Sequence, residues 1–246
     1  MKKRILFFLA YRISLLLSWV KVKQYNLANS TLHFRRGESD LRVFRQIFQD
    51  QEYFHFPEGL NPKVIIDAGA NVGYSAVWFA EKFPKARILA LEPFPTNVQL
   101  LKKNVKSYPA IEVIPCALWF EDTTLSLHDP GKGAWGIETH PMTQVKGQVA
   151  QAFSIDSICI KYQISQIDIL KLDVEGAEYE IFKFGPLDWL DRVRLVQMET
   201  HESRKPGVQK LVDEIFASRG FQKWTTRELS IYYKNCIPCL YPHRPE

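Results

Sequence analysis

Three times in succession the chain sets a short run rich in Val and Ile ahead of a turn, and that rhythm restricts its fold more than any other feature. The runs are KVIID (63–67), RILALE (87–92) and IEVIPCAL (111–118); the helical segments YSAVWFAEKF and TNVQLLKKNV follow the first two. Strands joined by helical crossovers lie parallel in one sheet with helices over its faces. DILKLDV and RLVQMET continue the scheme as fourth and fifth strands around the helix AEYEIFKF. A helix at VQKLVDEIFASRG then leads to FQKWTTR and LSIYYKN, whose tight turn predicts an antiparallel pair. The turn-rich stretch 119–156 reads as a hairpin-like insertion. Before the first strand, Ser39-Asp40 predicts the cap of a helix LRVFRQIFQ, with Leu41, Phe44, Ile47 and Phe48 on helical spacing.

A chain of 246 residues can bury one full core without covalent staples. Its four cysteines are too few and scattered for a disulfide framework, which points to a reducing compartment. Cys236-Ile237-Pro238-Cys239 has no second half to complete a zinc site and is expected to be inert.

The sharpest chemical signal is Asp67-Ala68-Gly69-Ala70-Asn71-Val72-Gly73, between a strand and a helix. Glycines there let the backbone turn tightly and approach a ligand beside free helix-start N–H groups. A dinucleotide fingerprint would need glycines at 69, 71 and 74, but Asn71 and Tyr74 occupy two of these positions. That disfavours a nicotinamide enzyme. Glu92 closes the next strand 19 residues after Gly73. A carboxylate at that place can accept both hydroxyls of an adenosine ribose, so the pair reads as a nucleoside site.

The fourth and fifth strands end in acids. Asp173 falls at the carboxyl end of a central strand, where ligands lie in open α/β sheets. Met198-Glu199-Thr200-His201 places Glu199 and His201 beside it. Histidine titrates near neutrality, so His201 is the expected general base, with Asp173 and Glu199 positioning a hydroxyl or orienting the ring. Glu178, in the first turn of a helix, would complement the helix dipole. Two acids and one histidine on two strands lack the fixed spacing of a metal motif, so no metal is expected.

These residues together resemble the FkbM family of S-adenosylmethionine-dependent methyltransferases. The likeness rests on Ser39-Asp40 before LRVF, IDAGANVGYS, LEP with its helix, METH and, above all, DILKLDVEGAEYEIF, and it spans about residues 38 to 235. It implies a class I methyltransferase fold, Rossmann-like, with a seven-stranded, mostly parallel sheet, one antiparallel strand and helices on both faces. It also implies S-adenosylmethionine as cofactor and O-methylation of a hydroxyl-bearing acceptor, whether glycan, lipid or small metabolite. Carried over by position, Asp67, Gly69, Ala70, Asn71 and Gly73 would surround the methionine part, Glu92 the ribose, and Cys116-Ala117 the adenine. Cys116 departs from the family's usual polar residue, which leaves it a van der Waals contact. A nicotinamide-dependent oxidoreductase on a similar sheet and a catalytically silent, membrane-attached binding module are the alternatives. Substrate contacts are expected from residues 120–155 and from the helix at 41–52.

Residues 1–37 stand apart from the domain expected at 38–246. They carry eight Lys/Arg and no Asp or Glu, whereas the whole chain nets +5, so the remainder is acidic. The basicity belongs to this arm and not to a folded face, and no nucleic-acid partner is expected. Within it ILFFLAYRISLLLSWV (5–20) is apolar but split by Arg12. A central Arg costs a spanning helix about 2.5 to 3.5 kcal/mol, and no small-residue cleavage site follows. A helix lying on an anionic membrane surface fits the flanking cations, giving a cytoplasmic protein held to a membrane by its arm. A spanning anchor and a helix packed on protein are the other readings of the same segment.

Overall fold

The computed structural model describes residues 24–27, 30–35, 38–54, 56–57, 59–128, 138–141, 148–226 and 229–234. The apolar run at 5–20 and the Cys236/Cys239 tail lie outside these residues. Among the described residues, no helix is long and apolar enough to cross a membrane.

The first described elements are a small hairpin, β1 (Gln24–Asn26) and β2 (Thr31–His33), and the helix α1 (Asp40–Phe48). Ser39 takes the N-cap position of α1 with no cap bond from its hydroxyl. Asp40, expected to help cap, instead receives Arg35. A 3-10 turn at Glu52–Phe54 leads to β3 (Val64–Ala68), α2 (Tyr74–Lys82), β4 (Arg87–Leu91), α3 (Pro95–Asn104) and β5 (Ile111–Ile114).

The stretch after β5 is richer than a hairpin. β6 (Ala117–Leu118), β7 (Thr123–His128), β8 (Glu138–Pro141) and β9 (Gln148–Phe153) form a separate four-stranded sheet in the order β6-β9-β7-β8. The sequence also hid a helix, α4 (Ile155–Lys161), whose cap is Ser154: its hydroxyl accepts the Ser157 N–H. The rest of the chain supplies β10 (Ile167–Leu172), α5 (Glu178–Phe184), a 3-10 turn at Asp188–Arg192, β11 (Val193–Glu199), α6 (Val208–Ser218), β12 (Phe221–Thr225) and β13 (Leu229–Lys234).

Seven of these strands form the main sheet in the order β12-β13-β11-β10-β3-β4-β5, with β13 the antiparallel member. Successive strand residues point to opposite faces, so each strand feeds two layers of core. Ile66, Leu89, Leu170 and Val196 pack with Ile158, Ile181 and Phe216 on one side. Ile65, Ile88, Ile169 and Leu195 pack with Phe44, Val77 and Leu101 on the other. Burial on both faces explains the unbroken apolar runs that marked these strands. β10 is buried throughout and still holds two charges. Asp168 answers its own burial by accepting the N–H groups of Lys63 and Val64 at 2.8 and 3.0 Å and Arg194 at 3.1 Å, which pins the start of β3 to β10. The other charge, Lys171, points into the site.

The chain runs outward from β3 through β4 to β5 and then returns to β10 on the far side of β3. A crevice opens at such a reversal, above the carboxyl ends of the strands.

Residues 30–35, on the arm side of the expected boundary at 37, pack on this domain. Leu32 is fully buried, the Tyr74 hydroxyl donates to the His33 carbonyl at 2.7 Å, and the His33 N–H donates to Asn104 at 2.8 Å.

Candidate functional site

One cavity occupies the crevice between β3 and β10. Gly69, Ala70, Asn71, Glu92, Cys116, Ala117, Asp173 and Glu199 all line it, so most of the candidate residues meet there. Asp67, Gly73 and His201 stand behind its wall.

The turn after β3 is fixed by close approach. Gly69 has φ +78°, and a Cβ built there would stand 1.8 Å from the Asp173 carbonyl oxygen. Its N–H and that of Ala70 donate to the Leu91 carbonyl at 3.1 and 2.9 Å. Asn71 adopts φ +50°, a conformation that asparagine tolerates better than most side chains. Gly73 begins α2 at φ +91°, with Leu101 of α3 2.4 Å from where a Cβ would lie. Asp67, fully buried below the turn, accepts the Ser75 hydroxyl at 2.6 Å.

Glu92 is 5% exposed and takes three hydrogen bonds: from Asn71 N–H at 2.9 Å, Phe94 N–H at 3.0 Å and the Asn97 amide at 3.1 Å. Burial lifts its pKa to about 7, against the pull of these three donors and of Lys171. Cys116, also buried, has its thiol pushed up to about 12 by burial, so it meets a ligand as a neutral, weakly polar surface.

Lys171, a charge within the buried strand β10, ties β3 and its turn to the end of β10. Its ammonium donates to the carbonyls of Gly69 at 2.7 Å and Ala68 at 3.3 Å, and lies 3.2 Å from Asp67 and 3.6 Å from Asp173. Burial alone would lower its pKa, but the two aspartates outweigh that and leave it raised, so the lysine stays charged. Tyr53 closes over it, with its ring centre 5.8 Å from the ammonium.

His201, the expected general base, is not among the residues that line the cavity, and its ring faces three carboxylates. Nδ1 faces Glu178 at 3.0 Å, and Nε2 faces Glu175 at 3.3 Å and Asp173 at 3.8 Å. Burial would favour the neutral ring, yet the hydrogen bonds that Glu175 and Glu178 accept from it and the nearby charges of Glu178 and Asp173 push the pKa up to about 11. These contacts favour the imidazolium, a form with no lone pair to take a proton. Glu178 does more than complement the helix start: it is fully buried and also accepts the N–H groups of Val174 and Gly176.

Asp173, Glu175 and His201 could each offer one ligand atom to a metal ion, all within 4.8 Å of one another. Those carboxylates already have counter-charges: His201 itself, Lys171 beside Asp173, and Arg204, which pairs with Glu175. Among the described lining residues, Glu52, Glu92, Asp173, Glu175 and Glu199 outnumber Arg42 and Lys171. The Asn71 Oδ1 atom is buried with no hydrogen-bond partner in the protein, so a ligand's donor is what this wall lacks. The helix expected to contact the acceptor lines the cavity through Arg42, Val43, Gln46 and Ile47, whereas none of the described residues within 120–155 does. Lys171, Asn97 and Tyr53 are the site residues that sequence spacing did not single out. The signal available was a charged residue inside an otherwise apolar strand.

The sheet order defines an α/β fold of the class I methyltransferase type. The pattern of the FkbM methyltransferase domain matches residues 67–223, well over half of the chain, and the protein belongs to this family. S-adenosylmethionine is the cofactor that membership brings. Among its relatives, the hexuronic acid methyltransferase AglP of Haloferax volcanii is 27% identical over 180 residues, covering 73% of this chain and 69% of that one. The 2-O-methyltransferase NoeI of Sinorhizobium fredii is 24% identical over 182 residues, covering 67% and 71%. The crystal structure of a methyltransferase FkbM from Methylobacillus flagellatus superposes with a TM-score of 0.51 at 14% identity. It covers 77% of this chain and only 47% of its own, a likeness of fold. The oxidoreductase alternative falls with this membership.

Proposed function

We propose that the protein transfers a methyl group from S-adenosylmethionine to a hydroxyl oxygen of a glycan, lipid or small-metabolite acceptor. The observation that carries this reading is the shared cavity: Gly69, Ala70, Asn71 and Val72 of the turn after β3 line it together with Glu92, Asp173 and Glu199. The names of two relatives support it, one given as a 2-O-methyltransferase and the other as acting on a hexuronic acid.

The cavity's residues fit the cofactor. Asn71, with its unpartnered buried oxygen, would hold the ammonium of the methionine part beside Gly69 and Ala70; Glu92 would accept the ribose hydroxyls, and Cys116-Ala117 would lie on the adenine. When bound, the cofactor supplies an electrophilic methyl on a sulfonium. What remains for the protein is to align the acceptor oxygen and relieve it of its proton. Asp173 is the carboxylate placed for this: it lines the cavity, while Lys171 and His201 hold it in place from behind. Glu199 is the second acceptor-side carboxylate. Arg42 and Gln46 on α1 form the wall that an acceptor would enter past. The basic segment at 1–23 would bring this site to an anionic membrane surface.

Calorimetry with S-adenosylhomocysteine tests the cofactor end. Charge-assisted hydrogen bonds of about 1.5 to 3 kcal/mol make Glu92→Ala weaker by tenfold or more. Unchanged affinity in a folded variant removes Glu92 from the site. Incubation with methyl-labelled cofactor and cell extract, followed by mass spectrometry, tests the acceptor end. Labelled product carrying the methyl on nitrogen or carbon refutes O-methylation, and absence of any product favours the silent binding module.

A further inference from the structure

Arg35 falls within the segment expected to be a separate arm, yet its guanidinium bonds to Asn97, which lines the cavity beside Glu92. Two of its nitrogens, Nε and Nη2, donate to the Asp40 carboxylate at 3.1 and 2.7 Å, and its backbone N–H donates to the same group at 2.7 Å. Asp40 is 1% exposed and thereby fixes the guanidinium plane. The remaining nitrogen, Nη1, donates to Asn97 Oδ1 at 2.8 Å. Asn97 is 2% exposed, and its Nδ2 donates in turn to Glu92 Oε1 at 3.1 Å.

A side-chain amide can turn over about its last bond and exchange its oxygen and nitrogen. Turned one way, Asn97 offers Glu92 a donor; turned the other way, it offers an oxygen that repels a carboxylate. Guanidinium has only donors, so it draws the amide oxygen toward itself and leaves the NH2 for Glu92. We propose that Arg35 is a positioning residue for cofactor binding, setting the Asn97 amide so that Glu92 is presented to the ribose. This rests on the reading of Glu92 as the ribose carboxylate.

The groups that face Glu92 are the Lys171 ammonium from β10, the Cys116 thiol after β5, the N–H groups of Asn71 and Phe94, and the Asn97 amide on α3. Loss of the Asn97 donation removes one of the few influences that oppose burial, so the Glu92 midpoint moves upward from about 7. The carboxylate form is the one that accepts both hydroxyls. Cofactor affinity therefore falls as pH drops through that midpoint, and the fall starts at higher pH when the amide is misset.

The experiment is calorimetry of the full chain with S-adenosylhomocysteine across pH 6 to 9. Arg35→Met is expected to bind about tenfold more weakly at pH 7 and to regain affinity toward pH 9. Asn97→Leu is expected to do the same, and the double variant to be no weaker than Asn97→Leu alone, as coupled residues require. Asp40→Asn, which loosens the clamp but keeps the Asn97 contact, is expected to lower the melting temperature without moving the pH midpoint. An unmoved midpoint in Arg35→Met and Asn97→Leu, or additive losses in the double variant, overturns the relay. Binding that depends on Glu92 but on neither Arg35 nor Asn97 overturns the relay alone, whereas no binding by the unaltered chain overturns the Glu92 reading with it.

Discussion

Replacing His201 by Gln is the perturbation whose outcome the site geometry fixes most tightly. The imidazolium sits against Asp173, Glu175 and Glu178 with 11% of its side chain exposed, and Glu178 is fully buried. Deleting the positive partner leaves these carboxylates facing one another, with Lys171 beside Asp173, Arg204 beside Glu175 and the buried Glu178 without its cation. Removing one partner from a buried charge cluster costs about 3 to 5 kcal/mol, a large part of a domain's typical stability of about 5 to 15 kcal/mol. The pH dependence follows from the same contacts. The histidine pKa is raised from about 6.5 in the unfolded chain to about 11 in the folded one. The stabilisation is therefore full below pH about 6.5 and is lost as pH rises toward the folded value. Urea unfolding of the native chain and of His201→Gln at several pH values between 6 and 10 reads this directly. The stability difference between them is expected to shrink as pH rises. NMR of the imidazole ring supplies the independent measurement, the signal being assigned by its absence in the variant. A His201 ring that titrates near pH 6.5 would refute the reasoning and return it to the role of general base.

Three further outcomes can be checked. Lys171→Met leaves Asp67 buried without its counter-charge and is expected to lose about 3 to 5 kcal/mol in chemical denaturation, with much of the loss recovered when Asp67→Asn is added; an additive double variant counts against the pair. Gly69→Ala forces a Cβ against the Asp173 backbone, so cofactor affinity is expected to fall by at least tenfold, and calorimetry that finds no change disproves the close approach. Removing residues 1–23 is expected to abolish flotation with anionic liposomes while sparing S-adenosylhomocysteine binding, whereas removing residues 1–37 takes Leu32 and Arg35 with it and costs both.

The parallel strands were legible because both faces of the sheet are covered, which writes apolar runs such as VIID and ILAL into the sequence. Gly69, Asn71 and Glu92 were legible because a tight turn and a strand-end acid occupy fixed places in this topology. The state of His201 was not. Glu175 and Glu178 reach it from more than twenty residues earlier in the chain, and a histidine's protonation depends on what surrounds it. Lys171 looked like one charge among several at a strand end; its raised pKa comes from Asp67 on a neighbouring strand. Arg35 sat among eight cations with no nearby acid before Glu38, and only its pairing with Asp40 and Asn97 separates it from the rest of the arm. α4 was missed because its capping Ser154 directly follows the alternating strand β9, so the change of period fell inside one short stretch.

Gly69 and Asp173 are in backbone contact, and the Asp173 N–H donates to the Ala68 carbonyl at 3.2 Å. The turn that would hold the methyl donor and the residue that would receive the acceptor's proton thus belong to one rigid seam between β3 and β10. Their separation is settled when the sheet forms, before any ligand arrives, and no hinge lies between them to adjust it. Diversity of acceptors on such a frame has to be built elsewhere, on walls such as α1 that can change shape without disturbing the reacting distance.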